Sequence, residues 1–202
     1  MAISDLAKSA LNDAARVVER LDAGSFESFA QAIAAAKTIA LHGLGREGLQ
    51  MRGLAMRLFH LGLDAHVVAE MTTPPIGAGD LLICSAGPGD FASIAALTSI
   101  AKGAGAKTAI VTAQPASNLA KSADHMLHIP AQTMANDQGP GTSVLPMGSL
   151  FELSQMLVCC WCCACARSKA KPSPPCARDT PISSRAISAA RVPQRQTPRV
   201  RD

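Results

Sequence analysis

Two glycine-rich turns carry the first chemical signal. Gly43-Leu44-Gly45-Arg46-Glu47-Gly48 opens a stretch that holds Arg46, Arg52 and Arg57. Its glycines stand two and three apart, but the arginine-bearing helix that follows sets it apart from a dinucleotide fingerprint. Backbone N–H groups at a helix start, with an arginine beside them, make an anion site. The plainer reading is a tight turn with a solvated arginine. The second turn, Ser85-Ala86-Gly87-Pro88-Gly89-Asp90, offers one hydroxyl and several N–H groups. It too can cradle an anion, or it is a plain loop in which Asp90 caps a helix starting at Phe91. Glu152 follows Gly148-Ser149 at a helix start, where the dipole favours an acid. His42, His66, His125 and His128 lie in or beside strands with no metal-ligand spacing, and no metal is expected.

The surrounding periodicity supplies the elements that must hold these turns. Residues 3–22 read as a helix ended by Gly24, and Ser25 caps another through Ala36. Strands follow at 38–42, 64–70, 80–85, 107–112 and 125–130. Helices are expected up to Leu61, from Phe91 to Gly103, over Ser117–Ser122, and from Leu150 until a tail interrupts it after Val158. Strands alternating with helices predict a parallel sheet covered on both faces, a three-layer α/β/α sandwich. Ligands of such sheets sit beyond the strands' carboxyl ends, where both glycine-rich turns fall.

Composition divides the chain at Val158. Residues 1–158 hold ten Lys and Arg against thirteen Asp and Glu; residues 159–202 hold nine against two. Six of the seven cysteines lie in the second part. The first part, with a lone Cys84, predicts a domain in a reducing cytoplasm. The N-terminus has no basic region followed by an apolar run, and no stretch approaches a charge-free span of about 20 residues, so neither a signal peptide nor a membrane is expected. Cys159-Cys160-Trp161-Cys162-Cys163-Ala164-Cys165 lacks the spaced second half of a zinc site. A basic arm without aromatic residues after Trp161 is a weak nucleic-acid ligand, and no nucleic acid is expected.

Several strings resemble the sugar isomerase (SIS) domain: Gly45-Arg46, then Ala55-Met56-Arg57-Leu58-Phe59-His60-Leu61-Gly62, then Glu70-Met71-Thr72-Thr73-Pro74, then Gly79-Asp80-Leu81-Leu82-Ile83. Ser143-Val144-Leu145-Pro146-Met147-Gly148-Ser149-Leu150-Phe151-Glu152 resembles the 6-phospho-3-hexuloisomerase branch. The resemblance covers residues 1–158. It implies a five-stranded flavodoxin-like sheet and a homodimer or homotetramer. It also implies a proton shift between a 3-ketohexose 6-phosphate and fructose 6-phosphate through an enediol, with no cofactor. By the same resemblance Glu152 is the base and His60 a proton shuttle. The sugar phosphate is expected at Gly45, Arg46, Glu47, Arg52, Thr72, Thr73, Ser85, Ala86, Gly87, Gly89 and Asp90.

The sequence departs from that pattern in two places. The family's second turn is usually Ser-Gly-Ser-Gly-x-Thr, and here two hydroxyls are gone, Pro88 removes an N–H and Asp90 adds an acid. Glu47 stands where the family usually has a serine. Two acids oppose a phosphate, which Arg46 and Arg52 can offset. The alternative reading is therefore a noncatalytic, regulatory sugar-phosphate-binding module.

The tail has a coding explanation. Read from the third base of each codon, Cys159-Cys160-Trp161-Cys162-Cys163 must give Leu-Leu-Val-Leu, an apolar helix continuation. Arg178-Asp179-Thr180-Pro181-Ile182-Ser183-Ser184 permits Arg-His-Thr-Asn-Leu-Glu, which resembles the family's terminal motif. A frame error after Val158 is the expectation. It predicts a folded domain with impaired or absent activity and a tail disordered by its proline and charge.

Overall fold

The computed structural model describes residues 2–136 and 143–169. The expectation of disorder beyond Arg167 and the motif at 178–184 fall almost wholly outside these residues. The elements in chain order are α1 (Ile3–Val18), α2 (Ala23–Ala35), β1 (Thr38–Gly43), α3 (Gly45–His60), β2 (Asp64–Val67), β3 (Leu81–Ser85), α4 (Ala92–Gly103), β4 (Lys107–Thr112), α5 (Asn118–Ser122), β5 (His125–His128) and α6 (Ser149–Lys169).

All five strands are parallel, in the order β2-β1-β3-β4-β5. This is the flavodoxin-like arrangement inferred from the sequence. Side chains alternate between two cores, as strands covered on both faces require. Ile39, Leu41, Leu81, Ile83, Ala109 and Val111 pack with α1, α2, α3 and α6. Ala40, Leu82, Cys84 and Ile110 pack against α4 and α5. The chain thus leaves β1 toward one face and β3 toward the other. The point where the order reverses lies between β1 and β3, and there Gly43 pairs in register with Ser85. Both glycine-rich turns therefore open side by side at the sheet's switch point, where ligands bind in such folds.

Local chemistry moves some boundaries. The Asp22 carboxylate accepts from Ser25 N at 2.6 Å and caps α2, so Gly24 lies in that helix's first turn rather than ending α1. Strand β2 stops at Val67, where a turn begins, with Glu70 N donating to Val67 O at 3.2 Å.

The largest correction concerns α6. It does not break at Val158 but continues to Lys169. Phe151, Gln155, Val158, Cys159, Cys162, Cys163 and Ala166 form one buried stripe along it. Small thiols serve there as apolar side chains, so the helical period survives a change of composition. Fully burying Phe151 contributes about 1.5–3 kcal/mol. Ser149–Ala166 is also long and apolar enough to cross a membrane, but it carries Glu152 and half of it is buried within the domain.

Candidate active site

Arg46 and Glu152 meet at the switch point. Arg46 sits in the first turn of α3, immediately past β1, and Glu152 in the first turn of α6. Arg46 Nε donates to both carboxylate oxygens of Glu152, at 2.7 and 2.9 Å. Arg46 Nη2 donates to the Met147 carbonyl. That carbonyl belongs to a residue at φ 52°, and Gly148 follows at φ 76°. The left-handed region is unfavourable for a methionine. At Gly148 a Cβ would lie 2.6 Å from Met134 N, so only glycine fits this approach. The strained pair swings the start of α6 so that Met147 O and Glu152 both face Arg46. The Glu152 side chain retains 15% exposure.

The second turn is occupied from within. Glu47, adjacent to Arg46, directs its carboxylate into the turn after β3. Its Oε2 accepts from Ser85 Oγ at 2.5 Å and from Gly87 N at 2.9 Å. Gln155 Nε2 donates to Ser85 Oγ at 2.8 Å. Ser85 and Gln155 are both buried, and the amide oxygen of Gln155 has no partner among the described residues. Burial pushes the Glu47 carboxyl above its ordinary pKa, and nearby Glu152 pushes the same way; the bonds from Ser85 and Gly87 and the charge of Arg46 act against this. Thr112, at the end of β4, donates to Ala86 O at 2.6 Å and accepts from Gln114 N, which locks the turn to its neighbour strand.

The remaining expected residues are placed as follows. Gly45 (φ 53°) starts α3, and Ala86 is fully buried under the second turn. Gly89 (φ 113°) completes that turn, with its N–H donating to Ala86 O. Asp90 does not cap α4, whose N-cap is Phe91. Its carboxylate instead accepts from Asn118 N, Asn118 Nδ2 and Leu119 N at the start of α5. Those bonds hold its carboxyl below the usual range and direct its charge toward α5. Arg52 pairs with Glu70 at 2.9 Å on the surface. Thr73 Oγ1 donates to Val67 O at 2.6 Å and closes the turn after β2, while Thr72 is exposed.

His60 is not brought to this cluster within the chain. It is an exposed residue at the far end of α3, and fourteen residues at 1.5 Å each put it about 21 Å along the axis from Arg46. Of the strand histidines, His125 Nδ1 contacts Ser28 Oγ at 3.0 Å and His66 Nε2 contacts Asp64 at 3.0 Å. Among the described residues no group of three or more His, Cys, Asp or Glu is arranged to hold a metal. Cys84 is buried, which pushes its thiol up to about 12.

The sequence reading missed Gln155 and Thr112. Gln155 did leave a signal: it is a polar residue on the inward period of an otherwise apolar helix, and such a residue needs a specific partner.

With this geometry in view, the SIS domain model matches residues 32–156. The chain belongs to the SIS domain family. Its relatives include a Bacillus subtilis protein named 3-hexulose-6-phosphate isomerase, 36% identical over 131 residues, which are 65% of this chain and 71% of that one. A Mycobacterium gastri protein of the same name is 38% identical over 141 residues, 70% of each chain. A solved structure from Methanococcus jannaschii, whose function was inferred to be 3-hexulose-6-phosphate isomerase, superposes with a TM-score of 0.68 at 26% identity. It covers 80% of this chain and 89% of its own.

Proposed function

We propose that this SIS domain is a sugar-phosphate isomerase that interconverts 3-hexulose 6-phosphate and fructose 6-phosphate. The observation that carries the reading is the Arg46–Glu152 pair at the switch point. A carboxylate held in fixed orientation and still partly open to solvent suits proton abstraction from carbon. Glu152 takes the proton from C2 of the 3-ketose as the C3 carbonyl becomes the enediol oxygen. It returns that proton to C3 as the C2 oxygen gives up its own and becomes the new carbonyl. The Arg46 guanidinium, beside the carboxylate, offers positive charge to the enediolate. The phosphate lies at the two glycine-rich turns. Turnover needs no group beyond these side chains and a carrier for the oxygen-bound protons.

His60 serves as that carrier from a second copy. Leu49 and Met56 are 64% and 57% exposed on α3, and Phe59 is 41% exposed. Gly53 lies between them, with open space where a Cβ would stand. Two α3 helices packed antiparallel about Gly53 bury this apolar face and bring His60 of the partner subunit level with Arg46. A homodimer or a tetramer built from it follows, and the mostly buried thiols of the described residues suit the cytoplasm.

The test is formation of fructose 6-phosphate from 3-hexulose 6-phosphate by the chain as written and by a version frame-corrected after Val158. Turnover by the corrected protein supports the reading; its absence from both sinks it. The Glu47 carboxylate in the second turn favours one alternative, a regulatory module that binds sugar phosphate without turning it over. Stabilisation by fructose 6-phosphate without isomerisation in either protein identifies that case.

A further inference from the structure

The second turn already holds an anion, and that anion is part of the protein. Ser85 Oγ and Gly87 N both donate to one oxygen of Glu47. A hydroxyl and a backbone N–H converging on one point form the kind of nest that binds phosphate or carboxylate oxygens. The cradle is built to be filled at this spot. A Cβ on Gly87 would stand 2.7 Å from Glu47 Oε1 and 2.7 Å from Phe151 Cε1. Behind it, the fully buried Gln155 supports Ser85 with its amide nitrogen, while its oxygen has no partner among the described residues. The other charges facing Glu47 are Arg46 on its own helix and Glu152 on α6; Asp90, from the same turn, faces α5.

We propose that Glu47 is an internal competitor for phosphate: its carboxylate occupies the Ser85–Gly87 cradle and must leave before a phosphoryl group can bind there. The inference rests on the reading that this turn receives the substrate's phosphate, and it makes Glu47 the residue that sets affinity for phosphorylated over unphosphorylated ligands. A dianion and a carboxylate cannot share one N–H and one hydroxyl, and their mutual repulsion in a half-buried site adds to the exclusion. Removing the carboxylate frees both donors and leaves Arg46 to attract the incoming charge.

Calorimetric titration with inorganic phosphate decides it, on the parent chain, Glu47→Ala and Glu47→Gln. Glu47→Ala is expected to bind phosphate at least tenfold more tightly than the parent. Glu47→Gln keeps the shape and both accepted bonds but loses the charge, so it gains only a few-fold and also serves as the variant most certain to fold. Adding Ser85→Ala to Glu47→Ala removes most of the gain, because it deletes a cradle donor. Equal phosphate affinity in the parent and Glu47→Ala overturns the proposal, as does no binding in either, or a gain that survives Ser85→Ala. The isomerase reading fails separately. If the frame-corrected protein converts no 3-hexulose 6-phosphate while Glu47→Ala still gains phosphate affinity, only the catalytic reading is lost. If it turns the substrate over and Glu47→Ala gains nothing, only the competitor is lost.

Discussion

Arg46 Nε holds both oxygens of Glu152, within 2.9 Å, across 106 residues of sequence. One donor shared by two acceptors fixes the plane of the carboxylate as well as its position, and the Met147 carbonyl fixes the guanidinium from the other side. If Glu152 is the base, Glu152→Gln keeps the shape and a bond to Arg46 yet lowers kcat by on the order of 100-fold or more. Thermal unfolding should barely change. Steady-state kinetics on the frame-corrected protein check this, and a change confined to KM would contradict the assignment.

His60 and Glu152 lie too far apart to serve one site in one chain. Mixing two inactive variants, Glu152→Gln and His60→Ala, after partial unfolding and reassociation should restore about a quarter of the parent activity in a dimer, since a mixed pair contains one intact site. Mixed samples that stay inactive would show that His60 does not act across the subunit interface. Sedimentation of Met56→Asp tests the interface itself, because a charge on the apolar face of α3 should shift the protein toward monomer.

Gly87 has no room for a side chain. Gly87→Ala forces either the Glu47 carboxylate or the Phe151 ring to move, and overpacking of this kind costs about 1–3 kcal/mol. Denaturant unfolding measures that loss. Glu47→Ala in the same chain should recover part of it by removing one of the two colliding groups, whereas full additivity would mean that the ring alone gives way.

Much of this architecture was legible in the sequence, because strands buried on both faces write near-continuous apolar runs and turns write glycines. Thr38–His42, Leu81–Ser85 and Lys107–Thr112 announced themselves in that way, and their order placed the two turns at the switch point. Contacts between elements distant in sequence left no such trace. The acid at position 47 was visible, but its χ angles were not, so its insertion between Ser85 and Gly87 could not be read. Asp90 looked like a cap for the helix it precedes, yet the free N–H groups of α5 lie within its reach in space. His60 matched a motif by type, and only the length of α3 shows that it points elsewhere. The helix at Ser149 shows in its period, but its full length does not, because the cysteine run after Val158 changes the composition while its thiols keep serving as apolar volume.

Burial raises the Glu47 pKa above its ordinary value of 4.5. The folded state then takes up a proton more readily than the unfolded chain, so this contribution to stability is complete below about pH 4.5 and declines as pH rises through the folded value. Glu47→Gln removes that dependence. Its midpoint temperature should match the parent's near pH 4 and exceed it toward pH 8, as thermal melts across that range will show. A variant less stable at pH 8 than at pH 4, relative to the parent, would mean that the bonds from Ser85 and Gly87 outweigh the cost of burial.

The thiols of α6 give the domain a reporter of its own breathing. Cys159 and Cys162 are closed to solvent, with pKa values pushed up by burial, and Cys163 is pushed up to about 11, whereas Cys160 and Cys165 are partly open. An alkylating reagent needs an accessible thiolate. It will therefore mark the two outer positions promptly and the inner ones only when the helix lifts from the sheet. The lag between the two classes times the opening of the same helix that carries Glu152, and a ligand seated against that residue should lengthen it.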